Sequence, residues 1–423
     1  MKTIKKDLGS FNLHLIQTKK FKTITVRVIF HTPIQKEEIT LRNILSDIML
    51  QSTEKYKNRR DLTIASEDLY AADISTSNQR LGNYLFTSFT LQSLQDKYTE
   101  DGNFEKSLEF LNEIIFHPDF SDDGFCVEKL DIVKSNAEVA LNSIKEDASG
   151  YSLMRASEVY NSSSPISYRM TGYLEDLENI NPKNLKECYE KMIDNDYVDI
   201  FVVGDYDSVD MLTLIKKYFK FKKIKKRKDA YILDAKKCRK RRLFAKETID
   251  NTQSKLVIAC PISKINSYER NYSLVLANII LGGGVDSKLF QEVREKNSLC
   301  YSIYSMFHKY DSTFFIIAGI DKKNFKKTVD LITENLNLMK KGKFSEKDIT
   351  VAKEFYHTSI EEIEESEFQM INEVLSEEVL GLDSAKERVT KMNGVTKSDI
   401  IKACKKIQMD TVFLLEGVKN END

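Results

Sequence analysis

The chain has 423 residues, 41% of them hydrophobic and 30% charged, with 64 basic against 65 acidic side chains for a net charge of −1. That length suits about two to four domains with sizeable cores, and the charge balance does not call for nucleic acid or an anionic membrane. Six scattered Cys with no C-x-x-C fit neither a zinc ribbon nor a disulfide scaffold, so reduced thiols in the cytoplasm are expected.

No apolar run approaches the roughly 20 residues of a membrane span, and the basic N-terminus lacks the apolar stretch of a signal peptide. Residues 11–16 and 24–30 alternate and read as strands. Residues 37–51 place Leu41, Ile44, Leu45, Ile48 and Met49 on one helical face. A second helix is expected over 59–70, strands from Ile74 and over 84–91, and helices over 104–116 and 126–145. Residues 150–170 are less regular. Pro182 stands where a first-turn proline opens a helix, and 198–204 reads as a buried strand. Two basic runs follow, 222–228 and 236–242. They suit a solvated linker, although such runs also bind nucleic acid or acidic peptides.

Beyond the linker the order repeats. A strand over 256–260 leads to a helix over 268–281, and strands are expected over 300–305 and 314–319. Asn103-Phe104-Glu105-Lys106 parallels Asn324-Phe325-Lys326-Lys327, and residues 180–188 parallel 395–404. A repeat of about 220 residues is too long for a solenoid unit. The expected fold is therefore α+β, with two homologous domains at 1–222 and 245–423 and a basic linker at 223–244. Each domain is expected to be a mixed, mostly antiparallel sheet with helices packed on one face.

The most informative stretch is Gly282-Gly283-Gly284-Val285-Asp286-Ser287-Lys288-Leu289-Phe290-Gln291-Glu292-Val293-Arg294-Glu295-Lys296-Asn297-Ser298-Leu299-Cys300-Tyr301. It reads as a glycine break, an amphipathic helix with Leu289, Phe290 and Val293 on one face, a turn at Asn297-Ser298 and an alternating strand. Arg294 then sits on the last helical turn and Tyr301 at the head of the strand. They could project toward a common cleft or simply form a corner. No G-K-[ST] follows the glycines, so this is no phosphate loop.

This segment resembles the arginine–tyrosine segment of the pitrilysin/insulinase (inverzincin) metallopeptidases, which include the mitochondrial processing peptidases. The resemblance implies that Arg294 and Tyr301, seven residues apart, bind substrate backbone and stabilise the transition state. Gly282, Gly283 and Gly284 become candidate substrate-binding positions, although three glycines also suit a helix break or a close backbone approach. Catalytic members of the family carry H-x-x-E-H on the first helix, with a distal Glu. Here the two His positions fall on Asn43 and Asp47, and the base position on Ser46. Lys134 and Ser135 stand near the distal position, with Glu138 one turn away. The five His, at 14, 31, 117, 308 and 357, offer no pair within one helical turn. His31 reads as a structural or surface residue. No metal is expected in this chain.

The resemblance implies a zinc-free subunit of a heterodimeric metallopeptidase, inactive alone. It would lend Arg294 and Tyr301 in trans to a homologous zinc-bearing H-x-x-E-H partner that hydrolyses a peptide or small protein. The chain looks most similar to the inactive partners grouped with bacterial elongation-factor P modification-associated proteins. The alternative is a catalytically inactive scaffold or chaperone-like peptide-binding protein of the same fold.

Overall fold

The computed structural model describes residues 2–121, 123–223 and 231–418. Most of the first basic run, from Ile224 onward, lies outside them. The first half contains β1 (Lys2–Asp7), β2 (Asn12–Gln17), β3 (Thr23–Pro33), α1 (Lys36–Ile48), α2 (Arg59–Asp68), β4 (Asp73–Leu81), β5 (Tyr84–Leu94) and α3 (Asn103–Phe116). A two-residue ladder, β6 (Phe120–Ser121) and β7 (Gly124–Phe125), leads into α4 (Val127–Asn142), α5 (Ala148–Asn161), α6 (Pro182–Asn195), β8 (Tyr197–Gly204) and α7 (Ser208–Tyr218). The second half contains β9 (Leu243–Ile249), β10 (Ser254–Pro261), α8 (Leu274–Gly282), β11 (Cys300–His308), β12 (Thr313–Ile320) and α9 (Phe325–Lys340). It ends with α10 (Glu346–Glu361), α11 (Glu367–Glu378), α12 (Ala385–Asn393), α13 (Lys397–Lys405) and β13 (Thr411–Gly417).

Pro182 opens α6 as expected, and the Asn181 side chain accepts from the backbone N–H of Lys183 at 3.1 Å and Asn184 at 3.0 Å.

The two sheets share a plan. The first has the order β1-β2-β8-β3-β5-β4, the second β9-β13-β10-β12-β11. The parallel pairings are β2 with β8 and β9 with β13, and the remaining pairs in both sheets are antiparallel. Apart from the added β1, the halves have the same strand order. The fold is α+β, as the element order implied.

One face of each sheet carries the main helical layer. In the first, Val26, Val28, Phe30 and Phe89 meet Ile44, Leu45, Leu108 and Leu111. In the second, Ile258, Phe314 and Ile316 meet Leu276, Ile280, Ile332 and Leu336. Fully burying each such side chain stabilises the fold by about 1.5–3 kcal/mol.

The compact units do not coincide with the halves expected at 1–222 and 245–423. One unit is Met1–Asn142 with Arg169–Asp229 and Ile363–Leu380; the other is Ser143–Tyr168 with Ala230–Glu362 and Gly381–Asp423. Each half gives up one helix. α5 packs on β10 and β13, on the outer face of the second sheet, and α11 packs on β2 and β8 of the first. Each sheet is therefore covered on both faces rather than one. The sequence hid α5 because its buried residues are Ala148, Tyr151, Ser152, Ala156, Ser157 and Tyr160, which form no aliphatic stripe.

The second basic run is also not a free linker. Lys236 Nζ lies 3.0 Å from Asp410 Oδ1, and the Arg239 backbone N–H donates to Asp410 Oδ2 at 2.8 Å. The Arg239 guanidinium pairs with the same carboxylate. Asp410 is fully buried, so two cations are committed to neutralising it. The strand β9 already begins at Leu243.

The outer faces of the two sheets differ in chemistry. Under α5 lie Val257, Phe315, Ile317 and Phe413. Under α11 the face is polar. Glu367 of α11 accepts from Thr25 Oγ1 at 2.9 Å and Gln92 Nε2 at 2.7 Å, while Arg27 donates to Asn372 Oδ1 and Ser88 Oγ. At the centre of this face, His14 Nε2 and His31 Nε2 meet the two oxygens of Asp199 at 2.7 and 2.9 Å. Asn12 Nδ2 adds a third bond at 3.1 Å. His14 stacks on Phe201 and His31 on Phe86. No helix brings the two His together; β2 and β3 do, by flanking β8.

Burial acts to raise the Asp199 carboxyl, but hydrogen bonds from both imidazoles outweigh it and hold the group well below the usual range. Its stabilisation is thus present above the unfolded carboxylate pKa, about 4, and lost as pH falls through the depressed folded value. Denaturation profiles between neutral pH and pH ~3 are expected to show an acid-sensitive component that Asp199→Asn lacks. Parallel profiles for the two proteins would remove the clamp from this account.

Candidate functional site

The apolar α8 ends at Gly282 against β11. A Cβ on Gly282 would lie 2.6 Å from the Ser305 backbone nitrogen, and one on Gly283 would lie 2.6 Å from the Ile279 Cα. These two glycines therefore permit close backbone approach. Gly284 has open space around it. Gly283 and Gly284 also border a groove of about 480 Å³, with Val285, Val351 and Phe355 on its walls.

The chain then re-enters helix and widens into a π-type turn at Phe290–Glu295. Leu289 and Val293 are fully buried and anchor it. Phe290 is half-buried, and the Arg294 guanidinium lies over its ring at 4.7 Å. The Arg294 side chain is 43% exposed, with Nε 3.7 Å from Glu295 Oε1. Ser298 adopts a left-handed conformation, and its N–H donates to the Arg294 carbonyl, closing the helix end.

Tyr301 follows on the edge strand β11. Cys300 pairs with Ile320 and Ser302 with Gly319, so Tyr301 is the extra residue of a β-bulge. A bulge re-aims the side chain it carries. Tyr301 is 57% exposed, and its hydroxyl makes no hydrogen bond among the described residues. Among those residues no hydrogen bond or ring contact joins Arg294 to Tyr301. Cys300, next to Tyr301 in the chain, is buried, and burial pushes its thiol up to about 11, against the pull of Arg294.

The metal-motif positions lie on α1. Asn43 Nδ2 donates to the Met170 carbonyl at 2.8 Å, and the Ser46 hydroxyl donates to the Arg42 carbonyl at 2.8 Å. Asn78 of β4 donates to Ser46 Oγ at 2.9 Å. Lys134 of α4 donates to the Ile180 carbonyl at 3.0 Å, while Ser135 and Glu138 face solvent. An amide, a hydroxyl, one carboxylate and a lysine do not make a zinc site. Among the described residues no cluster of three or more His, Cys, Asp or Glu is placed to hold a metal, and no helix is long and apolar enough to cross a membrane. Asn78 and Met170 escaped the sequence reading because nothing in the alternation of β4 or the irregular 150–170 stretch marks them.

Residues 179–356 match the family model described as "Peptidase M16 inactive domain". Through this match the chain is similar to the M16, or pitrilysin, peptidases. It is 28% identical to the "Probable inactive metalloprotease YmfF" of Bacillus subtilis (strain 168), over 98% of both chains. It is 25% identical to the "Uncharacterized zinc protease YmxG" of the same organism, over 67% of this chain and 68% of that one. A crystal structure of a conserved protein from Enterococcus faecalis V583 superposes with a TM-score of 0.89 and 29% identity, over 100% of both chains. The M16 relatives thus include proteins named as zinc proteases and one named as inactive.

Proposed function

We propose that this M16 chain is the zinc-free subunit of a cytoplasmic two-chain metallopeptidase, and that it supplies Arg294 and Tyr301 to a peptide held by a homologous H-x-x-E-H partner. The observation that carries the reading is the split between the two sites. The metal positions hold residues that cannot bind zinc, while Tyr301 stands in solvent on a bulged edge strand with its hydroxyl unspent. A phenol packed into a domain corner would be buried. An exposed donor, with an exposed guanidinium on the helical turn that precedes its strand, suits a carbonyl arriving from outside the chain. Arg294, steadied over Phe290, can bind substrate backbone at the same edge. Gly283 and Gly284 border a groove walled by Val285, Val351 and Phe355 that offers room for a peptide side chain. Zinc is expected in the partner.

The test is reconstitution. The tagged chain is purified from its own host, and co-eluting proteins are identified by mass spectrometry. Peptide hydrolysis is then measured for each chain alone and for the two mixed. A zinc-bearing M16 homologue is expected to co-elute, with hydrolysis in the mixture only. A zinc-bearing chain that is equally active without this one would overturn the reading.

A further inference from the structure

The two edges of the second sheet are β11, which carries Tyr301, and β9. β9 runs parallel to β13. The Leu243 N–H donates to the Asp410 carbonyl, and the Ile249 carbonyl accepts from the Val418 N–H. In a parallel ladder the residues that bond one neighbour alternate with those that face the other way. Leu243, Ala245, Glu247 and Ile249 therefore serve β13, and the backbone groups of Phe244, Lys246 and Thr248 face outward. No hydrogen bond among the described residues reaches them. In the first half the corresponding edge is closed. There β2 lies parallel to β8, as β9 lies to β13, and β1 covers its other side as an antiparallel strand, from Lys2 opposite Gln17 to Asp7 opposite Asn12. The second sheet has no counterpart of β1 among the described residues. Its open edge carries Phe244, 58% exposed. Lys246, the residue that would blunt such an edge, is drawn along the sheet to Glu416 of β13 at 2.5 Å.

We propose that β9 pairs antiparallel with β9 of a second copy of this chain, joining two five-stranded sheets into one. A two-fold axis across the edge requires the antiparallel direction, the one β1 takes on β2. The edge is self-complementary in one register. With Ala245 opposite Ala245 of the second copy, Phe244 faces Lys246, Leu243 faces Glu247 and Arg242 faces Thr248. The stem and ammonium of the lysine suit the exposed aromatic ring. A slip of two residues one way sets Lys246 against Lys246 of the second copy. A slip the other way sets Arg242 against Lys246. Each places like charges opposite one another, which destabilises a strand pair. The pairing leaves β11 and Tyr301 at the two outer ends of the joined sheet. It therefore does not use the edge that the reading above gives to substrate, and it does not rest on that reading.

The full chain alone is followed by sedimentation equilibrium over a range of concentrations. Monomer and dimer are expected in micromolar equilibrium, as a small interface gives. Lys246→Pro removes one outward N–H from each copy and no bond to β13. It is expected to weaken the dimer about tenfold, the worth of two modest hydrogen bonds. Phe244→Ala is expected to weaken it as well. Ala245→Cys is expected to form a disulfide-linked dimer under diamide, because the residue on the axis faces its own copy at close range. Lys246→Cys is expected to crosslink more slowly, and the unaltered chain treated alike is the blank for the native thiols. A monomer at every concentration would overturn the proposal and leave the edge to a strand of another protein. A dimer of unchanged strength in Lys246→Pro would overturn it too, as would faster crosslinking through Lys246→Cys than through Ala245→Cys. Should Lys246→Pro not melt with the parent, the two cysteine variants decide. No hydrolysis is measured and no zinc-bearing chain is present, so failure here is separate from failure of the two-chain enzyme.

Discussion

Replacing Tyr301 by Phe is expected to lower peptide turnover by the reconstituted two-chain enzyme about 100- to 1000-fold, the usual effect of removing one oxyanion donor. The change deletes one hydroxyl. That hydroxyl makes no internal hydrogen bond among the described residues, so folding and assembly should be untouched. The loss should fall on kcat more than on KM, because the bond strengthens as the carbonyl oxygen gains charge. Arg294→Ala is expected to raise KM as well, since a guanidinium that binds backbone acts on the ground state too. Thermal melting and size-exclusion of each variant pair separate catalysis from stability. Wild-type turnover by both variants in an intact pair would refute the role in trans and favour a peptide-binding scaffold.

The largest stability effect is expected at Arg42. It lies on α1, is 1% exposed, and its Nη1 is 2.8 Å from Asp196 Oδ2, also 1% exposed. Arg42→Met leaves the aspartate buried without its cation and is expected to cost about 3–5 kcal/mol. Burial already pushes the Asp196 carboxyl up, with Arg42 as the chief opposing pull. Without Arg42 the upward push of burial faces only the weaker pull of His31. A carboxyl whose folded pKa is raised is best tolerated at low pH and worst once pH climbs through that value. The penalty should therefore shrink as pH falls from 7 toward 5, the reverse of the Asp199 behaviour. Arg42→Met with Asp196→Leu should recover most of the loss, because an apolar pair of similar volume often replaces a buried ion pair without cost. Urea denaturation of the three proteins at two pH values measures this. A double variant no better than the single one would show that the charge pair is not the cause.

Much of the fold is readable from residue spacing. The stripe of Ile44, Leu45 and Ile48, the first-turn Pro182 and the parallel segments of the two halves each point to elements that the structure contains. Other features depend on long-range contacts that spacing does not encode. α5 buries tyrosines and small residues, so its helix carries no aliphatic period. The exchange of α5 and α11 depends on which sheet face each meets, not on local pattern. Cys300 to Ser305 alternates like a regular strand, yet the register slips at Tyr301 and sets the direction of the phenol. His14, His31 and Asp199 meet only because β8, distant in sequence, lies between β2 and β3.

The polar seat of α11 has a consequence for the chain as it leaves the ribosome. The first sheet has all its strands once Gly204 is made, but the helix that covers Arg27, His14 and Asp199 ends at Glu378, about 170 residues later. At about 5–20 residues per second, that gap lasts roughly ten to thirty seconds. Through it the nascent sheet presents a face carrying a guanidinium, a carboxylate and two imidazoles, all still wet. An apolar face waiting that long would recruit other chains. A charged one stays hydrated until its own cover is synthesised.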